Sequence, residues 1–211
     1  MILPHVVWDM GGILYRYFTE VMRDRAIARG VRIGRIPLGP TGEVPDADYE
    51  RMQEGQIDEA EYLTLVKARL RVLGIDDDPT RTIDWPHQER RETWGAIRAI
   101  HRAGHRQAVL TNDATKWLGP NWWETWKPAG WFEATVDVAT IGERKPAARP
   151  YLAAVEALDA DPTECMFVDD MRVNCRGAEA VGMASFWFDV REPVESVDKL
   201  LATLGLGASE R

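Results

Sequence analysis

At 211 residues the chain has room for one α/β domain with an insertion, or for two small domains. Its 26 Lys and Arg against 34 Asp and Glu leave a net charge of −8, which disfavours a surface that tracks nucleic-acid phosphates. The two cysteines, Cys165 and Cys175, supply neither a disulfide framework nor a metal-ligand cluster and are expected to act as small apolar residues in a reducing compartment.

With 45% hydrophobic and 28% charged residues, the composition is that of a globular domain. No apolar run approaches the ~20 residues of a membrane span, and the first residues lack a basic region followed by an apolar one. A cytoplasmic protein with no membrane or nucleic-acid partner is expected.

In chain order, Val6-Val7-Trp8 reads as a short buried strand that ends at Asp9, followed by Met10-Gly11-Gly12-Ile13-Leu14. Thr19 is placed to cap a helix running to about Gly30, and the Gly- and Pro-rich stretch 34–45 marks a loop. Asp58 and Glu61 have capping-box spacing, Leu63, Val66, Leu70 and Leu73 lie along one helical face, and Gly74 suits a C-terminal cap. From about residue 16 to 88 the signals are helical, with no convincing strand.

Alternation of helix and strand then resumes. Trp94, Ile97 and Ile100 or His101 mark a helix closed by Gly104, and Gln107–Leu110 is a buried strand stopping at Thr111-Asn112-Asp113. A Trp-rich segment, 117–131, leads to a strand over Thr135–Ala139 and a loop, Gly142-Glu143-Arg144-Lys145-Pro146. Pro150 is expected to open a helix. Cys165–Val168 forms a strand running into Asp169-Asp170, a helix spans about Asn174 to Val181, and Ser185–Phe188 is a last strand. Val194, Val197, Leu201 and Leu204 give the closing helix its buried side. Strands separated by helices imply a parallel sheet with right-handed crossovers, an α/β architecture.

Parallel strands bring their C-terminal ends to one edge, so Asp9, Thr111-Asn112, Lys145 and Asp169-Asp170 can converge. Clustered carboxylates repel one another unless a cation joins them, and hard oxygen ligands suit Mg²⁺. A hydroxyl, an amide and an ammonium beside that cation make a receptor for a phosphoryl group.

The four segments Val7–Leu14, Val109–Asn112, Gly142–Pro146, and Phe167–Asp170 with Asn174, Ala178 and Gly182 resemble, in order and spacing, the motifs of the haloacid dehalogenase (HAD)-like hydrolases. The helical block lies between the first and second motifs, as in members with an α-helical cap. Gln53–Ile57 and the helix after it resemble the cap near the glucose-1-phosphatase and epoxide-hydrolase N-terminal phosphatase branch. The resemblance implies a doubly wound, Rossmann-like parallel sheet, with a core of residues 1–15 and 89–211 and a small helical cap insertion over 16–88.

It also implies site roles. Asp9 would be the nucleophile, forming an aspartyl-phosphate. Asp9, the Gly11 carbonyl and Asp170 would hold Mg²⁺. Thr111, Lys145, Asn112 and Gly12 would meet the phosphorylated substrate, with Thr111 and Lys145 also assisting catalysis. Asp169 and Asn174 would support from behind. The expected function is Mg²⁺-dependent hydrolysis of a small phosphomonoester, with sugar phosphates in view.

Most phosphatases of the family carry a second Asp two positions after the nucleophile as general acid and base. Here that position is Gly11. The difference points to a preference for good leaving groups, such as sugar 1-phosphates, and leaves open a catalytically weak relative that binds a phosphorylated ligand or regulates a partner. A 2-haloacid dehalogenase ranks lower, because those relatives need no metal. Trp117, Trp122, Trp123, Trp126 and Trp131 are read as core or as a homodimer contact, with a substrate platform as the sharper alternative, and His101 and His105 are read as surface residues.

Overall fold

The computed structural model describes residues 5–76, 84, 87–126 and 130–207. Five strands form one parallel sheet: β1 (His5–Trp8), β2 (Arg106–Thr111), β3 (Ala134–Asp137), β4 (Cys165–Asp169) and β5 (Ala184–Trp187). Their spatial order is β3-β2-β1-β4-β5. The chain therefore steps outward from β1 to β3, then crosses back to lay β4 and β5 on β1's other side. That reversal is a topological switch point, with the ends of β2 and β4 flanking the end of β1. In register, Trp8 pairs with Val109 on one side and Val168 on the other.

The middles of β1, β2 and β4 are largely apolar because both faces are covered. Val6 and Trp8 point into the larger core cluster, Val7 into the smaller one, as the two-residue period of a strand requires. Gln107, fully buried within β2, is satisfied by accepting from the Trp8 indole at 2.9 Å and donating to the Ile97 carbonyl at 3.0 Å. Both cysteines are free and buried.

Between β1 and β2 come α1 (Phe18–Ala28), α2 (Ala47–Gln53), α3 (Glu59–Val72) and α4 (Arg91–Arg102). No strand occurs among the described residues from 16 to 88. Asp46 caps α2, and its buried carboxylate also accepts from Gly39 N, Tyr62 Oη and Arg69 Nη1, tying the preceding loop to α3. Two short helices, α5 (Ala114–Leu118) and α6 (Trp122–Thr125), precede β3. The remaining helices are α7 (Ala148–Ala157), α8 (Arg172–Ala180) and α9 (Pro193–Thr203). None of the described helices is long and apolar enough to cross a membrane.

Several local expectations need correction. Thr19 lies inside α1; Tyr17 is the capping position, because the Glu20 carboxylate takes its N–H at 3.1 Å. Pro150 sits at the third position of α7, and α8 begins at Arg172, two residues before Asn174. Val194 is 51% exposed, and Leu200 takes its place in the core. His105 is buried where the chain turns under the sheet into β2. Trp122 and Trp126 are core residues, packed with Trp94 and Phe132, so Trp126 is no substrate platform. The side chain of Trp123 lies outside the described residues.

Candidate active site

β1 delivers Asp9 to the sheet edge, where its N–H still bonds the Val168 carbonyl at 2.8 Å. The chain then folds tightly: Leu14 and Tyr15 both donate to the Met10 carbonyl. Gly12 makes this turn with φ +75, and a Cβ there would lie 2.9 Å from the Asp170 carboxyl carbon. Only glycine accommodates both constraints. Arg90, buried at the start of α4, fastens the loop by donating to the Gly12 carbonyl at 2.7 Å and to Glu20 at 2.6 Å.

β4 delivers two carboxylates with different surroundings. Asp169 is saturated: Oδ1 accepts from Met171 N at 2.7 Å, and Oδ2 accepts from Lys145 Nζ and Asn174 Nδ2, both at 3.0 Å. Asp170 is buried, yet its Oδ2 has no hydrogen-bond partner among the described residues. Carboxylate oxygens of Asp9, Asp169 and Asp170 lie within 4.8 Å of one another. An unpaired buried carboxylate oxygen is costly, and a hard cation is the group that would satisfy it. The residues present therefore fit Mg²⁺, with Asp170 rather than Asp169 offering the open oxygen.

Lys145 arrives on the loop between β3 and α7. Its main chain is held by Asn112, which accepts from Lys145 N at 2.9 Å and donates to Lys145 O at 3.3 Å. Its Nζ, almost wholly buried, donates to Asp9 at 2.5 Å, Asp169 at 3.0 Å and the Leu110 carbonyl at 3.1 Å. Burial alone would lower the pKa of this ammonium, but Asp169 and Asp9 outweigh it and hold the pKa above the usual lysine value. Burial, with Asp169 adding to it and Lys145 opposing, pushes Asp9 up to about 7. Burial and the neighbouring Asp169 and Asp9 raise Asp170 well above the carboxylate range.

A cleft opens over this edge. Asp9, Gly11, Thr111, Asn112, Lys145, Asp170 and Asn174 line it, so the structure brings together nearly every residue singled out in the sequence. Gly12 does not line the cleft; it lies behind, with its carbonyl taken by Arg90. The far wall holds Tyr17, Phe18 and Glu59 from the helical block, with Trp117 stacked on Phe18 at 6.0 Å between ring centres. Neither Glu59 nor the Arg90 clamp was foreseen. The one available signal was Asp58, which caps α3 through Glu61 N and thereby puts Glu59 on its first turn.

Comparison with known proteins agrees with this geometry. A family model described as haloacid dehalogenase-like hydrolase matches residues 3–182. The chain belongs to the HAD-like hydrolases. The family is one of hydrolytic enzymes. Flavin mononucleotide hydrolase 1 of Arabidopsis thaliana is 37% identical over 68 residues, which cover 32% of this chain and 26% of that protein. The match thus spans about a quarter of the relative's length.

Among solved structures, a HAD phosphatase from Thermococcus onnurineus superposes with a TM-score of 0.57 at 17% identity, covering 96% of this chain and 98% of that one. A dehalogenase captured with an intermediate gives 0.61 at 17% identity, covering 96% and 97%. At such identities the likeness shows the shared HAD-like fold, and the choice of reaction rests on the site.

Proposed function

We propose that this HAD-like hydrolase is a Mg²⁺-dependent phosphomonoesterase working through an aspartyl-phosphate on Asp9, with residues 16–88 as a helical cap over the cleft. The observation that carries the reading is the unpartnered Oδ2 of buried Asp170 beside Asp9. A dehalogenase nucleophile needs no such open oxygen.

Asp9, Asp170 and the Gly11 carbonyl would hold Mg²⁺, which supplies charge neutralisation beside the transferring phosphoryl group. The Asp9 carboxylate attacks phosphorus in line, and water then hydrolyses the acyl phosphate. Lys145, already bonded to Asp9, keeps the nucleophile oriented and offsets charge on the transferring group. Thr111 and Asn112 line the cleft and would meet phosphoryl oxygens there. Asp169, with Asn174 behind it, fixes the direction of the Lys145 ammonium.

The partner implied is a small phosphorylated metabolite, a sugar phosphate included. The aromatic wall of Tyr17, Phe18 and Trp117 also suits a leaving group with a flat apolar part, as flavin mononucleotide has. Turnover of p-nitrophenyl phosphate, dependent on Mg²⁺ and lost in Asp9→Asn, tests the reading. Binding of a phosphorylated ligand without turnover across a broad panel of phosphate esters would favour the second reading, to which Gly11 points.

A further inference from the structure

Cleavage of an alkyl phosphate leaves charge on an oxygen that is a poor leaving group, so a carboxylic acid is wanted beside it. The loop after Asp9 offers none, since Gly11 has no side chain. The cleft contains one on its opposite wall. Glu59, half-buried on the first turn of α3, faces Asp113, the residue that caps α5 beyond Thr111.

The two carboxyl groups line the same cleft, and each acts on the other's charge. Two carboxyls set in one cleft repel each other unless one carries a proton. Arg144 decides which, donating to both oxygens of Asp113 at 3.0 and 2.5 Å and holding it ionised. The proton therefore stays with Glu59.

We propose that Glu59 is the proton donor to the leaving group, in the place left vacant at Gly11, with Asp113 and Arg144 as its positioning residues. The assignment rests on the phosphomonoesterase reading above. In the first step an Asp9 carboxylate oxygen bonds to phosphorus. The bond from phosphorus to the ester oxygen breaks, its electron pair stays on that oxygen, and the Glu59 proton goes to it. In the second step the Glu59 carboxylate takes a proton from water as the water oxygen bonds to phosphorus, and the Asp9–phosphorus bond breaks with its pair returning to Asp9. The sum is ester plus water giving alcohol plus phosphate, with Glu59 protonated again.

Burial, then Asp113 and Asp9, push the Glu59 carboxyl up to about 8, against the opposing charge of Lys116. Arg144, Asp170 and Tyr17 also face it across the cleft, and Asp58 precedes it on its own helix. An acid of this kind is protonated at neutral pH and poised to transfer.

The test compares glycerol 2-phosphate, an alkyl ester, with p-nitrophenyl phosphate, whose phenol departs unaided. In Glu59→Gln the alkyl-to-aryl ratio of kcat is expected to fall by ~10²–10⁴-fold, and adding Gly11→Asp, whose Cβ meets nothing within 4 Å, should restore much of it. In the wild type, alkyl turnover should decline above about pH 8 while aryl turnover does not. This profile needs no variant and decides the matter if Glu59→Gln fails to fold. An unchanged ratio in Glu59→Gln, or coincident pH profiles for the two esters, overturns the assignment and leaves the phosphomonoesterase reading standing. Absence of any Mg²⁺-dependent turnover in the wild type overturns both.

Discussion

Gln53, at the end of α2, donates from Nε2 to the main-chain oxygen of Asp170 at 3.0 Å, across 117 residues of sequence. Its Oε1 accepts from Arg172 N at 2.9 Å, so one fully buried amide closes the turn that presents the Asp170 carboxylate. The Trp187 indole donates to the same Asp170 oxygen at 2.8 Å. The helical block is thus bonded to the β4–α8 turn.

Gln53→Leu should keep the size of the side chain and remove both bonds, along with the one Nε2 donates to Tyr49 Oη at 2.8 Å. Trp187 still serves the Asp170 oxygen, but the Arg172 N–H is left unpaired, at a cost of about 1–3 kcal/mol. Urea unfolding should show that loss. A Mg²⁺ titration of the same variant should need more cation than the wild type, because the Asp170 turn is no longer held; unchanged Mg²⁺ affinity would detach Gln53 from the site.

Gly11 and Gly12 are adjacent and should respond oppositely to alanine. Gly11 has open space at its Cβ and no positive φ, so Gly11→Ala should shift stability by less than about 1 kcal/mol in either direction. Gly12→Ala forces a Cβ against the Asp170 carboxyl at 2.9 Å in a left-handed backbone, costing about 1–3 kcal/mol and displacing Asp170. Paired thermal melts measure the contrast, and equal effects would refute it.

The sheet and most of the site edge were legible in the sequence for a common reason. β1, β2 and β4 are buried on both faces, so each carries a short apolar run whose polar end marks the edge. Lys145 was legible as a lysine set on a loop between two strands. The features that were missed depend on docking rather than on periodicity. Gln53 and Glu59 look like ordinary polar positions on helices until those helices are placed against the sheet. Tyr17 replaced Thr19 as a cap because a side chain inside the helix, Glu20, supplies the bond that a capping hydroxyl would otherwise make. His105 follows Gly104, which does end its helix, but the next residue enters β2 and carries the histidine beneath the sheet.

The carboxylates of the site also fix a pH dependence. Asp9 is held up to about 7 by burial, and the folded chain keeps a proton that the unfolded chain releases above about pH 4. A raised pKa of this kind contributes stability that is fully present below about pH 4 and lost as pH climbs through 7. Asp170 acts in the same direction. Metal ligation requires the deprotonated forms, so the gain in Tm on adding Mg²⁺ should be small at pH 5 and larger at pH 8. Thermal melts with Mg²⁺ and with a chelator at both values check this, and a gain independent of pH would contradict it.

Arg90 gives the sharpest prediction for stability. Its guanidinium is buried, the residue being 5% exposed, and among the described residues it donates to the Gly12 carbonyl at 2.7 Å and to Glu20 at 2.6 Å. Glu20 in turn holds Tyr17 N and lies 3.5 Å from Arg16, whose charge is partly solvated. Arg90→Met keeps the apolar stem but leaves Glu20 with that weaker neighbour, so unfolding free energy should fall by about 3–5 kcal/mol. The double variant Arg90→Met with Glu20→Gln removes the stranded charge and should recover part of the loss, because leaving a buried carboxylate unpaired costs more than losing the pair itself. If the two single substitutions simply add, the ion pair is not what fastens the Gly11-Gly12 loop beneath Asp9.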